Sequence, residues 1–130
     1  MGTQHRQTEG TNRINSLSRA FDIVDALREH HEVGVSELAT HMDMPKSTVH
    51  VYLQTLEQEG YVLNQNGTYR LSCRFLEVGG ELRHRLNVFQ AARQQIDALS
   101  SETGEVVNLG IEEAGERVLL YTSEPSEGMF

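Results

Sequence analysis

The sequence predicts an α+β chain built as a winged helix-turn-helix, a linker helix and the start of a second domain of α/β type. Three observations lead there. Residues 35–71 read as helix, tight turn, helix and two-stranded hairpin, which is the order of a winged helix-turn-helix. Asn66-Gly67 stands between Tyr61-Val62-Leu63 and Thr68-Tyr69-Arg70-Leu71, the strongest short-range signal for a hairpin. Residues 88–122 give one amphipathic helix followed by two strands, too little to bury a core and with an apolar edge left over. The expectation is therefore that the chain stops inside its second domain.

Taken in order, residues 1–12 are polar and aperiodic and read as a flexible arm, with Arg6 in it and Arg13 just beyond. Residues 14–30 follow the helical spacing through Leu17, Ala20, Phe21, Val24 and Leu27, with Asn15 or Ser16 as the cap. Arg19 lies off that apolar face, as either a phosphate contact or a solvated charge. Residues 32–34 form a connector, and Val35 is a candidate bridging strand. Ser36 is read as the N-cap of the next helix, with Glu37 suiting its positive end and Leu38, Ala39 and Met42 on its apolar face.

Asp43 falls at the turn, where a short polar side chain tolerates left-handed backbone, and Pro45 precedes or opens the second helix of the motif. That helix turns Val49, Tyr52, Leu53 and Leu56 to the core, and Gly60 ends it. Its other face opens with Lys46, Ser47, Thr48 and His50, short or cationic groups at a helix N-terminus that suit entry into a major groove. Arg70 gives the hairpin a cation. Residues 73–86 are helical, with Phe75, Leu76, Gly79, Leu82 and Leu86 on one stripe and a possible bend at Gly79-Gly80. Such a stripe either closes the winged domain or meets the same helix of a second chain. Residues 88–101 form a further helix, ended by Thr103-Gly104. Val107, Leu109 and Ile111 then alternate as a strand, residues 112–116 turn, and residues 118–122 form the last strand. The domain reading is thus 13–73 for the winged unit, 74–87 for the linker helix and 88–130 for the second domain.

Net charge is −8, from 11 basic and 19 acidic residues, which taken evenly would repel a phosphate backbone. The acids are heaviest after Gly104, where six of them face Arg117 alone. One Lys accompanies ten Arg. Low Lys with many Glu and Asp is a pattern of salt-loving organisms, and a halophilic prokaryote is the expectation it raises, with ordinary compositional drift as the alternative. A lone cysteine, Cys73, excludes an internal disulfide and suits a reducing cytoplasm. No apolar run is long enough to cross a membrane, and the N-terminus has no apolar signal segment. Asn66-Gly67-Thr68 matches a glycosylation pattern by letter only.

Six histidines raise the question of a metal, with His30, His31, His41 and His50 in or near the helical region. Their spacing shows no two ligands one helical turn apart supported by a second pair, so surface histidine at helix ends is the preferred reading and no metal is expected. Cofactors are not expected either. No Gly-rich phosphate loop, nucleophile elbow or metalloprotease pattern is present, which argues against an enzyme.

The chain resembles the isocitrate lyase regulator (IclR) family of prokaryotic transcription regulators. The resemblance rests on Ser16-Leu17-Ser18-Arg19-Ala20, Ser36-Glu37-Leu38-Ala39 and Met44-Pro45-Lys46-Ser47-Thr48-Val49-His50. It continues through Gly60-Tyr61-Val62, Tyr69-Arg70-Leu71, Phe75-Leu76-Glu77-Val78-Gly79 and Glu102-Thr103-Gly104-Glu105-Val106-Val107. It implies an N-terminal winged helix-turn-helix, a linker helix and a C-terminal effector-binding domain. It also implies a homodimer or dimer of dimers that binds double-stranded operator DNA, often as a repressor, under control of a small-molecule effector. Two departures stand out: Asp43 where the family usually has Gly, and Val51 where it often has Arg, so the operator does not carry over from relatives. Candidate DNA contacts are Arg19, Ser36, Lys46, Ser47, Thr48, His50 and the edge of Tyr52, with Asn66, Thr68 and Arg70 from the hairpin. The alternative class is a winged-helix protein-interaction module without sequence-specific DNA binding.

Overall fold

The computed structural model describes residues 12–125. The elements run α1 (Asn15–His30), β1 (Val33–Gly34), α2 (Val35–Met42), α3 (Lys46–Gln58), β2 (Val62–Gln65), β3 (Thr68–Leu71), α4 (Arg74–His84), α5 (Asn87–Thr103), β4 (Val107–Glu113) and β5 (Glu116–Ser123). They divide into two compact units between Phe75 and Leu76.

The first unit packs three helices on a small antiparallel sheet of order β1-β3-β2. Its core comes from the apolar stripe of each helix: Ile23 and Leu27 from α1, Leu38 from α2, Val49 and Leu53 from α3, joined by Val62 and Tyr69 of the hairpin. All of these are essentially sealed from water. Burial pushes the Tyr69 phenol above its ordinary range, and the Glu57 carboxylate acts in the same direction, so the ring stays neutral where it packs. Asn64 donates from its amide to the Tyr69 hydroxyl at 3.2 Å, which anchors the only polar end of that ring.

Helix ends follow local rules with two corrections. Asp43 adopts left-handed backbone at φ 56°, and the Met44 and Asp43 N–H groups reach back to the Ala39 and Thr40 carbonyls. Gly60, at φ 92°, ends α3 the same way, with Tyr61 N–H on Leu56 O and Gly60 N–H on Glu57 O. Both are Schellman closures, and the sequence reading located both. The helix starts differ from it. Ile14 occupies the cap of α1 and Gly34 that of α2, neither with a side-chain hydrogen bond, so Asn15, Ser16 and Ser36 lie inside the helices as exposed first-turn residues. The displacement at α2 follows from β1: Val33 and Gly34 pair with Tyr69 and Thr68, so the strand falls before Val35 and the helix begins directly after it.

The hairpin forms as expected, with Asn66 and Gly67 both at positive φ and the Asn64 side-chain oxygen accepting from Gly67 N–H at 2.9 Å. Strand β2 extends to Gln65, further than the apolar residues alone suggested, because Asn64 and Gln65 complete the ladder to Tyr69 and Thr68.

Helix α4, whose first two residues Arg74 and Phe75 fall in the first unit, runs unbroken through Gly79 and Gly80 and buries none of its residues, with Leu76 and Leu82 well exposed. Helix α5 packs on the β4–β5 hairpin, whose strands meet around Ala114 and Gly115, both at positive φ. Val107, Leu109 and Ile111 share the more sheltered face of β4. The Arg83 guanidinium lies 4.7 Å from the Phe89 ring centre and donates to the Leu120 carbonyl at 3.0 Å. Asp97 accepts from the Tyr121 hydroxyl at 2.7 Å and from the Ser123 hydroxyl at 2.5 Å. These two bonds, with Arg93 nearby, hold its carboxyl below the usual carboxylate range.

Candidate nucleic-acid interface

Helix α3 fixes the site. Val49 and Leu53 lock one side of it into the core, with Tyr52 and Leu56 packed beside them. The opposite side is therefore forced outward. Ser47, His50, Val51, Gln54 and Gln58 all stand exposed, at the i, i+3, i+4, i+7 and i+11 spacing of one continuous stripe. The stripe carries hydrogen-bonding groups and one aliphatic patch, Val51 at 56% exposure, and no carboxylate. It thus has the chemistry for base edges: amide, imidazole and hydroxyl donors and acceptors, and an apolar group suited to a thymine methyl.

The N-terminal end of α3 supplies the anion-attracting part. Pro45 caps the helix without a side-chain hydrogen bond, and the first turn contains no acid. The positive end of the helix dipole and the leading backbone amides remain available to a phosphate. Lys46 and Ser47 are exposed there and Thr48 is half-buried. Lys46 and Ser36 line the same shallow hollow of about 570 Å³, together with Thr40, Asp43 and Pro45. The fold thus brings the start of α2 and the start of α3 to one surface.

The remaining expected contacts are distributed. Asn66 is exposed at the tip of the hairpin, and Thr68 and Arg70 are half-buried on β3. The Arg70 Nε lies 3.5 Å from the Gln65 side-chain oxygen and its Nη1 3.4 Å from the Leu71 carbonyl. Both contacts lie at the long end of the hydrogen-bond range. Arg19 is exposed on the second turn of α1. Tyr52 is half-buried and packs against the core.

The sequence reading did not include Gln54 and Gln58. The signal was available, because both follow from Ser47 and His50 at helical spacing once Val49 and Leu53 are taken as core. The fold also brings together two histidines that sequence spacing kept apart, His30 and His41, whose Nε2 atoms lie 2.8 Å from each other. Among the described residues no helix is long and apolar enough to cross a membrane.

Residues 16–65 match the IclR helix-turn-helix domain. The chain is 35% identical over 118 residues to the probable HTH-type transcriptional regulator ArcR of Halobacterium salinarum, covering 90% of this chain and 45% of that protein. It is 35% identical over 120 residues to the DNA-binding transcriptional repressor YiaJ of Escherichia coli, covering 88% of this chain and 42% of that one. Among solved structures, the IclR of Thermotoga maritima matches with a TM-score of 0.70 at 29% identity, over 87% of this chain and 47% of that one. The chain thus spans less than half the length of these relatives.

Proposed function

This chain belongs to the IclR helix-turn-helix family, and on that footing we propose that it regulates transcription by binding operator DNA through α3 and the β2–β3 wing. The observation that carries the reading is the outward stripe of α3, which is free of acid and begins at an open helix N-terminus beside Lys46. Ser47, His50, Val51 and Gln54 face base edges in the major groove. Lys46, Ser36 and Thr48 hold the phosphates at its rim, and Asn66, Thr68 and Arg70 contact the backbone or the adjacent groove from the wing. Arg19 adds a backbone contact from α1.

The assignment extends to the whole protein. Residues 13–73 act as the reading head, 74–87 as a linker helix and 88–130 as part of an effector-binding domain that senses a small molecule. The exposed apolar residues of α4, Leu76, Val78 and Leu82, suit pairing with the same helix of a second chain, in a homodimer or dimer of dimers. Repression in the cytoplasm is the mode proposed, in line with the repressor named among the relatives. An interaction module without DNA binding is not favoured, since relatives matching across most of the chain are named as transcriptional regulators.

Nuclease footprinting of the purified chain on duplex fragments from its own genome tests the proposal. A discrete protected segment that loses protection in His50→Ala or Gln54→Ala supports it. Uniform cleavage of every fragment at low salt would count against it.

A further inference from the structure

We propose that Glu29, His30 and His41 form a site for a divalent transition-metal ion, Zn²⁺ by its chemistry, which ties the C-terminal end of α1 to that of α2. The His30 and His41 Nε2 atoms face each other at 2.8 Å, from positions 11 residues apart on two different helices. Their rings are perpendicular, with centres 4.3 Å apart. A carboxylate oxygen of Glu29 joins them, and the three ligand atoms all lie within 4.8 Å of one another. Two imidazole nitrogens and one carboxylate oxygen, with a solvent-filled fourth position, make a donor set that Zn²⁺ commonly takes.

The arrangement has little reason to exist as a hydrogen bond alone. Two neutral imidazoles meeting at the surface exchange one bond to water for one bond to each other, a small net gain. A cation there gains more. His30 is the last residue of α1 and His41 lies in the last turn of α2, so both helices direct the negative end of their dipoles toward the cluster. Glu29 adds a full negative charge. Tetrahedral coordination at ordinary Zn–N lengths sets the two nitrogens about 3.3 Å apart, so the pair needs to open by only about half an ångström. Both nitrogens then present lone pairs, which fixes each ring in its Nδ1–H tautomer. The ion would sit just before the turn at Asp43, clamping the end of α2 from which α3 is set.

The test uses the full chain, stripped with a chelator and titrated with Zn²⁺ alone by calorimetry and with Co²⁺ by visible absorption. The expected result is one ion per chain, tetrahedral-type Co²⁺ absorption, and a melting temperature that rises with Zn²⁺. His30→Gln and His41→Gln should each lose at least tenfold in affinity, Glu29→Gln should lose less, and His84→Gln should bind like the parent. Circular dichroism of the metal-free variants checks that they fold. Should one histidine variant fail to fold, the other variant and the parent's Co²⁺ spectrum still decide the matter. Absence of saturable binding, absence of tetrahedral absorption, or undiminished affinity in a folded histidine variant would overturn the site.

Discussion

Lys46→Ala isolates the electrostatic part of the proposed interface. Lys46 is the single cation on α3 and stands exposed in its first turn. If it neutralises one phosphate, its removal lowers the slope of log affinity against log salt by about 0.9 per reading head. Between 50 and 200 mM salt, one such contact accounts for a factor of about 3.5 in affinity, so two heads on one duplex account for a factor of about 12. The parent and Lys46→Ala should therefore differ most at low salt and converge by that factor as salt rises. The loss should be similar on every duplex, because a phosphate contact carries no sequence information. Fluorescence anisotropy of a labelled duplex across a salt series measures both quantities. Arg117→Ala, on the β5 strand of the second unit, serves as the control with an unchanged slope. An unaltered slope in Lys46→Ala would remove this residue from the phosphate contacts, and with it the electrostatic role given to the α3 N-terminus.

Three further outcomes follow from the packing and the turns. Leu53→Ala empties a site at the centre of the first unit, where Leu53 is 0% exposed, and should cost about 2–5 kcal/mol in urea unfolding. Gly67→Ala places a Cβ on backbone at φ 89° with open space around it, so the penalty is conformational, about 1–2 kcal/mol by the same measurement. Asp97 has a folded pKa lowered below 3.8 by its bonds to Ser123 and Tyr121. Its contribution is therefore complete above the unfolded pKa and disappears as pH falls through the folded one. Unfolding measured from about pH 5 downward should show the parent losing this contribution in the acid range below 3.8, and Asp97→Asn should lack that part of the slope.

Much of the first unit was legible in the chain because its signals are local. Asn66-Gly67 requires only its own backbone to specify the hairpin, and Asp43 and Gly60 mark helix ends through residues three to five positions away. Val49 and Leu53 gave the inward side of α3, from which the outward side follows. Other features depend on partners distant in sequence. The start of α2 could not be located from Ser36 alone, since pairing of Val33 with Tyr69 decides where the strand ends. Gly79-Gly80, where the sequence marks a bend, lie within α4, which continues through both. The approach of His30 to His41 is set by how α1 lies against α2, which no short-range spacing encodes. In the candidate site, Lys46, Ser47, Thr48 and His50 were readable as an N-terminal cluster. The prolongation of the stripe through Gln54 and Gln58 was equally legible, since it follows at helical spacing from Val49 and Leu53 as core.

The most direct test of the central claim is selection from randomised duplex DNA with the purified chain, run at low and high salt and read by sequencing the bound fraction. The account predicts enrichment of a defined motif, as a two-fold symmetric pair if α4 joins two chains and as a lone half-site if it does not. Failure to retain or enrich any duplex at either salt would contradict it.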